Sequence, residues 1–269
     1  MTFTVEQTLS LNYVSSAKED GSVIDGIVVD GRANEDLFVK SFWLGSQCEL
    51  LKYGSSRIDY LLEQRTNRFL IEQLRERIGV EHDTFLVLYA PTFRDNGSTK
   101  GYIRSYSNIR KAFAKKYGNI TFAVRLHPNA VSNGLIVPSL DKGIINLSSY
   151  ADVDELVLAA DCLITDYSSI AYDFAIINKP VFLFASDLGE YEQIRGFSSL
   201  FYEQPFVINT TEEELIEEII NRSKEEYEIA LASFFEKYPL YNDRKSASNT
   251  VDWLVEKGLR KKRINGEKQ

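Results

Sequence analysis

Between residues 84 and 208 the chain alternates, again and again, between short apolar runs and segments with helical spacing. The apolar runs are Thr84–Ala90, Ile120–Leu126, Gly143–Leu147, Cys162–Ile164, Pro180–Ala185 and Phe206–Ile208. Ile103–Tyr117, Val153–Ala160 and Ile170–Ile177 carry helical periodicity between them. Continuous apolar strands separated by helices predict an α/β fold with a parallel, doubly wound sheet. In such a sheet every strand ends on the same edge, and ligands bind there. Four polar clusters follow strands and so converge on that rim: Thr92–Asn96, Arg125–Asn129, Thr165–Ser169 and Ser186–Arg195.

The rest of the chain is less patterned. Residues 1–22 read as a lead-in, a remnant of an N-terminal domain, with residues 23–260 as one Rossmann-like domain and 261–269 as a basic polar tail. Val23–Val29 and Cys48–Tyr53 are expected strands, and Asn34–Phe42 a short helix. Ile58–Ile78, Thr211–Tyr238 and Ala247–Lys257 read as single helices, and Ser186–Ser199 as a polar, aromatic loop.

Charge and composition exclude some classes of function. With 31 basic against 39 acidic residues the net charge is -8, which argues against a nucleic-acid partner. No run of 18 apolar residues occurs, so no transmembrane helix is expected. The N-terminus lacks the basic and apolar regions of a signal peptide. Cys48 and Cys162 read as reduced core residues, which suits a cytoplasmic protein. The run Lys257–Arg263 is either a solvated helix end or a weak contact with the inner face of the membrane. No metal-ligand spacing and no Gly-rich nucleotide loop is present, so neither a metal nor a cofactor is expected.

The candidate site residues lie at the rim. Arg125 and His127 are two apart at a strand end, on one side of the chain, and suit a bound phosphate; the alternative is a surface histidine beside a solvated arginine. Ser168 and Ser169 open a helix, where free N–H groups favour an anion, or one of them is simply an N-cap. Arg94 reads as a second phosphate contact or as a salt-bridge partner of Asp95. Asp173 falls one turn after Ser169, placed to hold ligand hydroxyls or to orient a base. Asp166 either contacts the ligand or fixes its own turn. Arg195-Gly196, with Tyr191 and Phe197, reads as a mobile lid with an aromatic contact. His82, in a turn at the opposite edge, reads as a surface residue.

Several of these stretches, in order, resemble one family. Leu88–Asp95 resembles its LYAPTFRD motif, Arg125–Pro128 its RxHP, and Leu163–Ser169 with Asp173-Phe174 its LITDYSS…DF. Lys179-Pro180, Asp187, Tyr191 and Arg195-Gly196-Phe197 match its next block. On these residues the chain is similar to the CDP-glycerol:poly(glycerophosphate) glycerophosphotransferases, the teichoic acid polymerases and their capsule-synthesis relatives.

The resemblance implies a GT-B architecture, here with the donor-binding domain nearly whole and the N-terminal domain largely missing. It implies transfer of glycerol phosphate or ribitol phosphate from CDP-glycerol or CDP-ribitol to a hydroxyl of a polymer or lipid-linked acceptor. His127 would face the donor phosphates as the catalytic residue, and Arg125, Thr165, Ser168 and Ser169 would hold the pyrophosphate. One departure stands out. The family's proposed general base is a histidine in a WHG motif, and neither Trp43 nor Trp253 is followed by histidine. A homo-oligomer or a partner chain supplying that domain is therefore an open expectation. The alternatives are a UDP-sugar glycosyltransferase or epimerase on the same architecture, and a non-catalytic nucleotide-binding partner.

Overall fold

The computed structural model describes residues 11–94, 98–99, 101–132, 134, 144–197 and 199–266. In chain order its elements are α1 (Leu11–Val23), β1 (Gly26–Val28), α2 (Arg32–Ser41), β2 (Glu49–Leu51), α3 (Ser56–Gln64) and α4 (Arg68–Arg77). Then come β3 (Phe85–Tyr89), α5 (Tyr106–Tyr117), β4 (Ile120–Val124), α6 (Pro128–Ser132), β5 (Ile144–Asn146), α7 (Val153–Ala159) and β6 (Cys162–Thr165). The chain continues through α8 (Ile170–Ile176), β7 (Val181–Phe184), α9 (Leu188–Arg195), α10 (Ser199–Tyr202) and β8 (Ile208–Asn209). It finishes with α11 (Glu212–Asn221), α12 (Lys224–Lys237) and α13 (Ser246–Gly266).

The described chain forms two compact units, one holding Gln64–Phe234 and the other residues 11–63 and 235–266. This differs from the single body expected over 23–260. Residues beyond 234 group with the first strand pair because polar and aromatic anchors tie α13 to it. Ser246 donates its N–H to Asp59 (2.8 Å) and its hydroxyl to the Tyr53 carbonyl (2.6 Å). Trp253 Nε1 donates to Glu49 (2.9 Å), and the Trp253 ring lies 2.8 Å from where a Cβ on Gly26 would sit. Only glycine admits that approach at β1. Cys48, just before β2 of this two-stranded sheet, is half-exposed rather than a core residue, whereas Cys162 is buried.

The larger unit is the doubly wound sheet the alternation implied. Its order is β5-β4-β3-β6-β7-β8, and every pairing is parallel. Counting strands as the chain enters this sheet, the order is 3-2-1-4-5-6, the Rossmann order, and it reverses between β3 and β6. The central strands are apolar on both faces because both are covered. Leu86 and Leu88 point one way and Val87 and Tyr89 the other, and all are buried. On the second face, Val87, Tyr89, Phe122, Ile164 and Phe182 meet Ile109 and Phe113 of α5 and Leu215 and Ile219 of α11. At the amino ends of the strands, Lys179 Nζ donates to the carbonyls of Val157, Leu158 and Ala160, satisfying the last turn of α7.

Other expectations are corrected by local chemistry. The pattern over Ile58–Ile78 is two helices, because Asn67 accepts from the Leu70 N–H (3.2 Å) and starts α4 anew. The pattern over Thr211–Tyr238 is also two. Arg222 leaves the helix (φ -53°, ψ 123°) to donate to the Val181 carbonyl, and Ser223 accepts from the Glu226 N–H to begin α12. Ser186–Ser199, expected as loop, contains α9, and residues 11–23, expected as lead-in, are helical. The last helix runs on past Lys257 to Gly266. Asn96 and Gly143, part of the expected rim loop and strand, lie outside the described residues.

Candidate functional site

All the strands of the larger sheet run parallel, so the loops after β3, β4, β6 and β7 share one edge. Three of these loops are joined by one side chain. Arg94, 6% exposed, donates from Nε and Nη2 to the two carboxylate oxygens of Asp187 (2.6 and 3.0 Å). Its Nη2 also reaches Asp166 (2.9 Å) and its Nη1 the Thr92 carbonyl (2.6 Å). The guanidinium carbon lies 4.9 Å from the Tyr167 ring centroid and 5.0 Å from that of Tyr191. Burial works against the Arg94 charge, and the Asp187 and Asp166 carboxylates more than offset it, raising its pKa. Burial likewise opposes ionisation of Asp187, yet Arg94 and the Tyr167 hydroxyl (2.8 Å) hold its carboxyl below the usual range.

Three of the residues expected to contact a ligand are held by protein partners in this arrangement. Arg94 ties the loops together through Nε, Nη1 and Nη2, and its carboxylate partners are Asp166 and Asp187. Asp166 is 3% exposed; besides Arg94 it accepts the N–H groups of Thr92 (2.8 Å) and Tyr167 (2.7 Å), fixing its own turn. Thr165 is fully buried and donates to the Ala90 carbonyl (2.7 Å), clamping the carboxyl ends of β6 and β3 together. Gly101 belongs to the same knot, since a Cβ there would meet Arg94 Nη2 at 2.4 Å and Asp187 Oδ2 at 2.8 Å. Asp187 and Tyr167 were not singled out from chemistry alone. A lone acid after an apolar strand looks like any loop residue until the arginine it neutralises is seen.

The remaining rim residues are differently placed. Arg125 is half-buried just past β4, its Nε is buried, and no protein acceptor meets that atom among the described residues. Burial pushes the Arg125 guanidinium below its ordinary pKa, and no carboxylate pairs with it among the described residues. A half-buried guanidinium with no carboxylate partner suits an anion meeting the part of it that is exposed at the rim. His127 is exposed; its Nδ1 accepts the Asn129 N–H (3.2 Å), and its ring stacks on Phe93 with centroids 6.0 Å apart. With Nδ1 accepting, a neutral imidazole carries its proton on Nε2, as a donor.

Ser169 is exposed and stands at the N-cap of α8 without capping through its side chain. Ser168 is half-buried, with its oxygen at 3.5 Å from the Ile170 N–H. So Ser169 does not serve as a side-chain cap, and its hydroxyl is left at the rim. Asp173 is buried on α8, 4% exposed. Arg195 ends α9, and its side chain lies outside the described residues. Tyr191 and Phe197 do not stand out as a separate aromatic contact. They pack with Tyr167 and Phe201, the Tyr167–Tyr191 centroids being 3.8 Å apart and the Phe197–Phe201 centroids 3.9 Å. Among the described residues no three His, Cys, Asp or Glu side chains gather as a metal site.

Known proteins are similar to this chain in sequence and fold. Residues 1–256 match the family described as CDP-Glycerol:Poly(glycerophosphate) glycerophosphotransferase. The chain is 27% identical over 260 residues to a teichoic acid poly(glycerol phosphate) polymerase of Staphylococcus epidermidis, covering 94% of this chain and 36% of that protein. It is 30% identical over 238 residues to a teichoic acid glycerol-phosphate primase of Bacillus subtilis, covering 87% of this chain and 58% of that protein. The structure of the wall teichoic acid polymerase TagF superposes with a TM-score of 0.76 at 26% identity, covering 97% of this chain and 64% of that one. A UDP-GlcNAc 2-epimerase from Neisseria meningitidis shares the fold alone, with a TM-score of 0.50 at 16% identity over 81% of this chain and 58% of that one. The chain thus spans about a third to two thirds of the length of these relatives.

Proposed function

Because this chain belongs to the CDP-glycerol:poly(glycerophosphate) glycerophosphotransferase family, we propose that its Gln64–Phe234 unit binds a CDP-alditol. From that donor, glycerol phosphate or ribitol phosphate passes to a hydroxyl of a cell-wall or capsular polymer. The observation that carries this reading is the half-buried Arg125, whose Nε has no protein acceptor among the described residues, two positions from an outward-facing histidine. Both follow β4, next to the β3–β6 switch point where Rossmann-order sheets hold nucleotides.

In the proposed reaction the acceptor oxygen bonds to the alditol-bearing phosphorus. The bond from that phosphorus to the bridging oxygen breaks, and CMP departs with the oxygen. Negative charge grows on the departing phosphate, and preorganised donors there lower the barrier. Arg125 supplies a fixed positive charge. His127 Nε2 supplies a hydrogen bond, and the Ser168 and Ser169 hydroxyls complete the anion's surroundings. The acceptor proton leaves to a base for which the Gln64–Phe234 unit offers no assigned residue. The basic 257–263 run is the proposed contact with the inner membrane face; no helix among the described residues is long and apolar enough to cross it.

A thermal-shift panel tests the reading. CDP-glycerol, CDP-ribitol and CMP are expected to raise the melting temperature in a concentration-dependent way, as ligands of the folded state do. Stabilisation by UDP-N-acetylglucosamine with none by the cytidine nucleotides would instead place the chain with the sugar-nucleotide enzymes that share its fold.

A further inference from the structure

We infer that Phe93 is a positioning residue, fixing the direction in which the His127 imidazole presents Nε2. The inference rests on the reading of His127 as the donor-phosphate contact. An exposed histidine at a strand end ordinarily samples several rotamers, and any one direction costs it entropy. Here the ring is held from two sides. Nδ1 accepts the Asn129 N–H (3.2 Å), and one face lies on Phe93, with centroids 6.0 Å apart and planes 23° from parallel. That is the offset-stacked range for aromatic pairs.

Phe93 can act as a fixed wall because both of its neighbours are fixed. On one side, Thr92 gives its N–H to Asp166 (2.8 Å) and its carbonyl to Arg94 (2.6 Å). On the other, Arg94 is bound by Asp187 and Asp166. The Phe93 ring itself packs against the main apolar cluster. The buried arginine therefore acts on the rim through the residue before it. It joins the loops after β3, β6 and β7, and Phe93 carries that rigidity to the loop after β4.

The full chain has only two histidines, His82 and His127, so nitrogen-detected NMR of the imidazoles reads both at once. Far-UV circular dichroism reports whether a variant is folded, and His82, in the turn before β3, serves as the unperturbed reference. In the ligand-free wild type His127 is expected as the Nε2–H tautomer with ring-current-shifted resonances. Phe93→Leu should turn the single Nε2–H tautomer into a mixture, read in the Nδ1 and Nε2 nitrogen shifts, while leaving those of His82 in place, and weaken CDP-glycerol binding about two- to tenfold, the range of one aromatic pair. Phe93→Tyr should restore both. A folded Phe93→Leu protein with an unchanged His127 tautomer and unchanged affinity overturns the inference. A wild type that binds no CDP-glycerol, yet shows the His127 tautomer change on Phe93→Leu, overturns the donor reading and leaves the positioning intact.

Discussion

Arg94 is tolerated at 6% exposure only because two carboxylates and the Thr92 carbonyl meet its charge. Removing one partner of a buried pair costs more than the pair contributes, since the orphaned charge stays buried. Arg94→Met leaves Asp166 and Asp187 facing each other without a cation, and should lower the unfolding free energy by about 3–5 kcal/mol, read by urea denaturation. The same network sets an acid limb. Asp187 keeps its charge in the folded protein at pH values where the unfolded chain has begun to take up a proton. The unfolded state then binds more protons, so stability falls as the pH drops from the ordinary aspartate value through the depressed folded one. Asp187→Asn should be less stable at neutral pH, and its stability should fall less steeply below about pH 4 than that of the wild type. At this scale the sequence located the rim but not the division of labour. Arg94 and Arg125 each follow a strand and look alike in the chain. Only burial and the positions of the carboxylates show that, among the described residues, one is paired with carboxylates and the other is not.

Among the elements, strands and helix starts were legible where side-chain pattern and local chemistry agree. β3 and β7 are uninterrupted apolar runs bounded by polar residues, and both lie in the sheet as read. Helix breaks were not legible from periodicity, because a new cap can appear inside an unbroken apolar stripe. Asn67 and Ser223 each restart a helix by accepting an N–H three residues on. The start of α11 was legible from the Thr210-Thr211-Glu212-Glu213 charge pattern, and in the structure Thr211 and Glu214 close a full capping box there. Its loss is predicted to be costly in proportion to what α11 covers. Thr211→Ala should destabilise by about 1 kcal/mol, visible as a shifted denaturation midpoint with unchanged slope. No change in the midpoint would mean that packing of Leu215 and Ile219 alone holds the helix.

For the whole molecule, the alternation over residues 84–208 was enough to specify a parallel sheet, and the sheet's order locates the switch point. What the alternation could not convey is that residues 235–266 group with the strand pair β1–β2. That association depends on contacts distant in sequence, such as Ser246 with Asp59 and Trp253 with Glu49. The account therefore concentrates donor recognition in the Gln64–Phe234 unit and, within it, on Arg125 and His127. Calorimetric titration of the full chain with CDP-glycerol, in the wild type, Arg125→Met and His127→Ala, tests this most directly. Loss of a charge-assisted hydrogen bond should weaken binding about ten- to a hundredfold in each variant. Equal affinity in all three proteins, or no binding by the wild type, would contradict it.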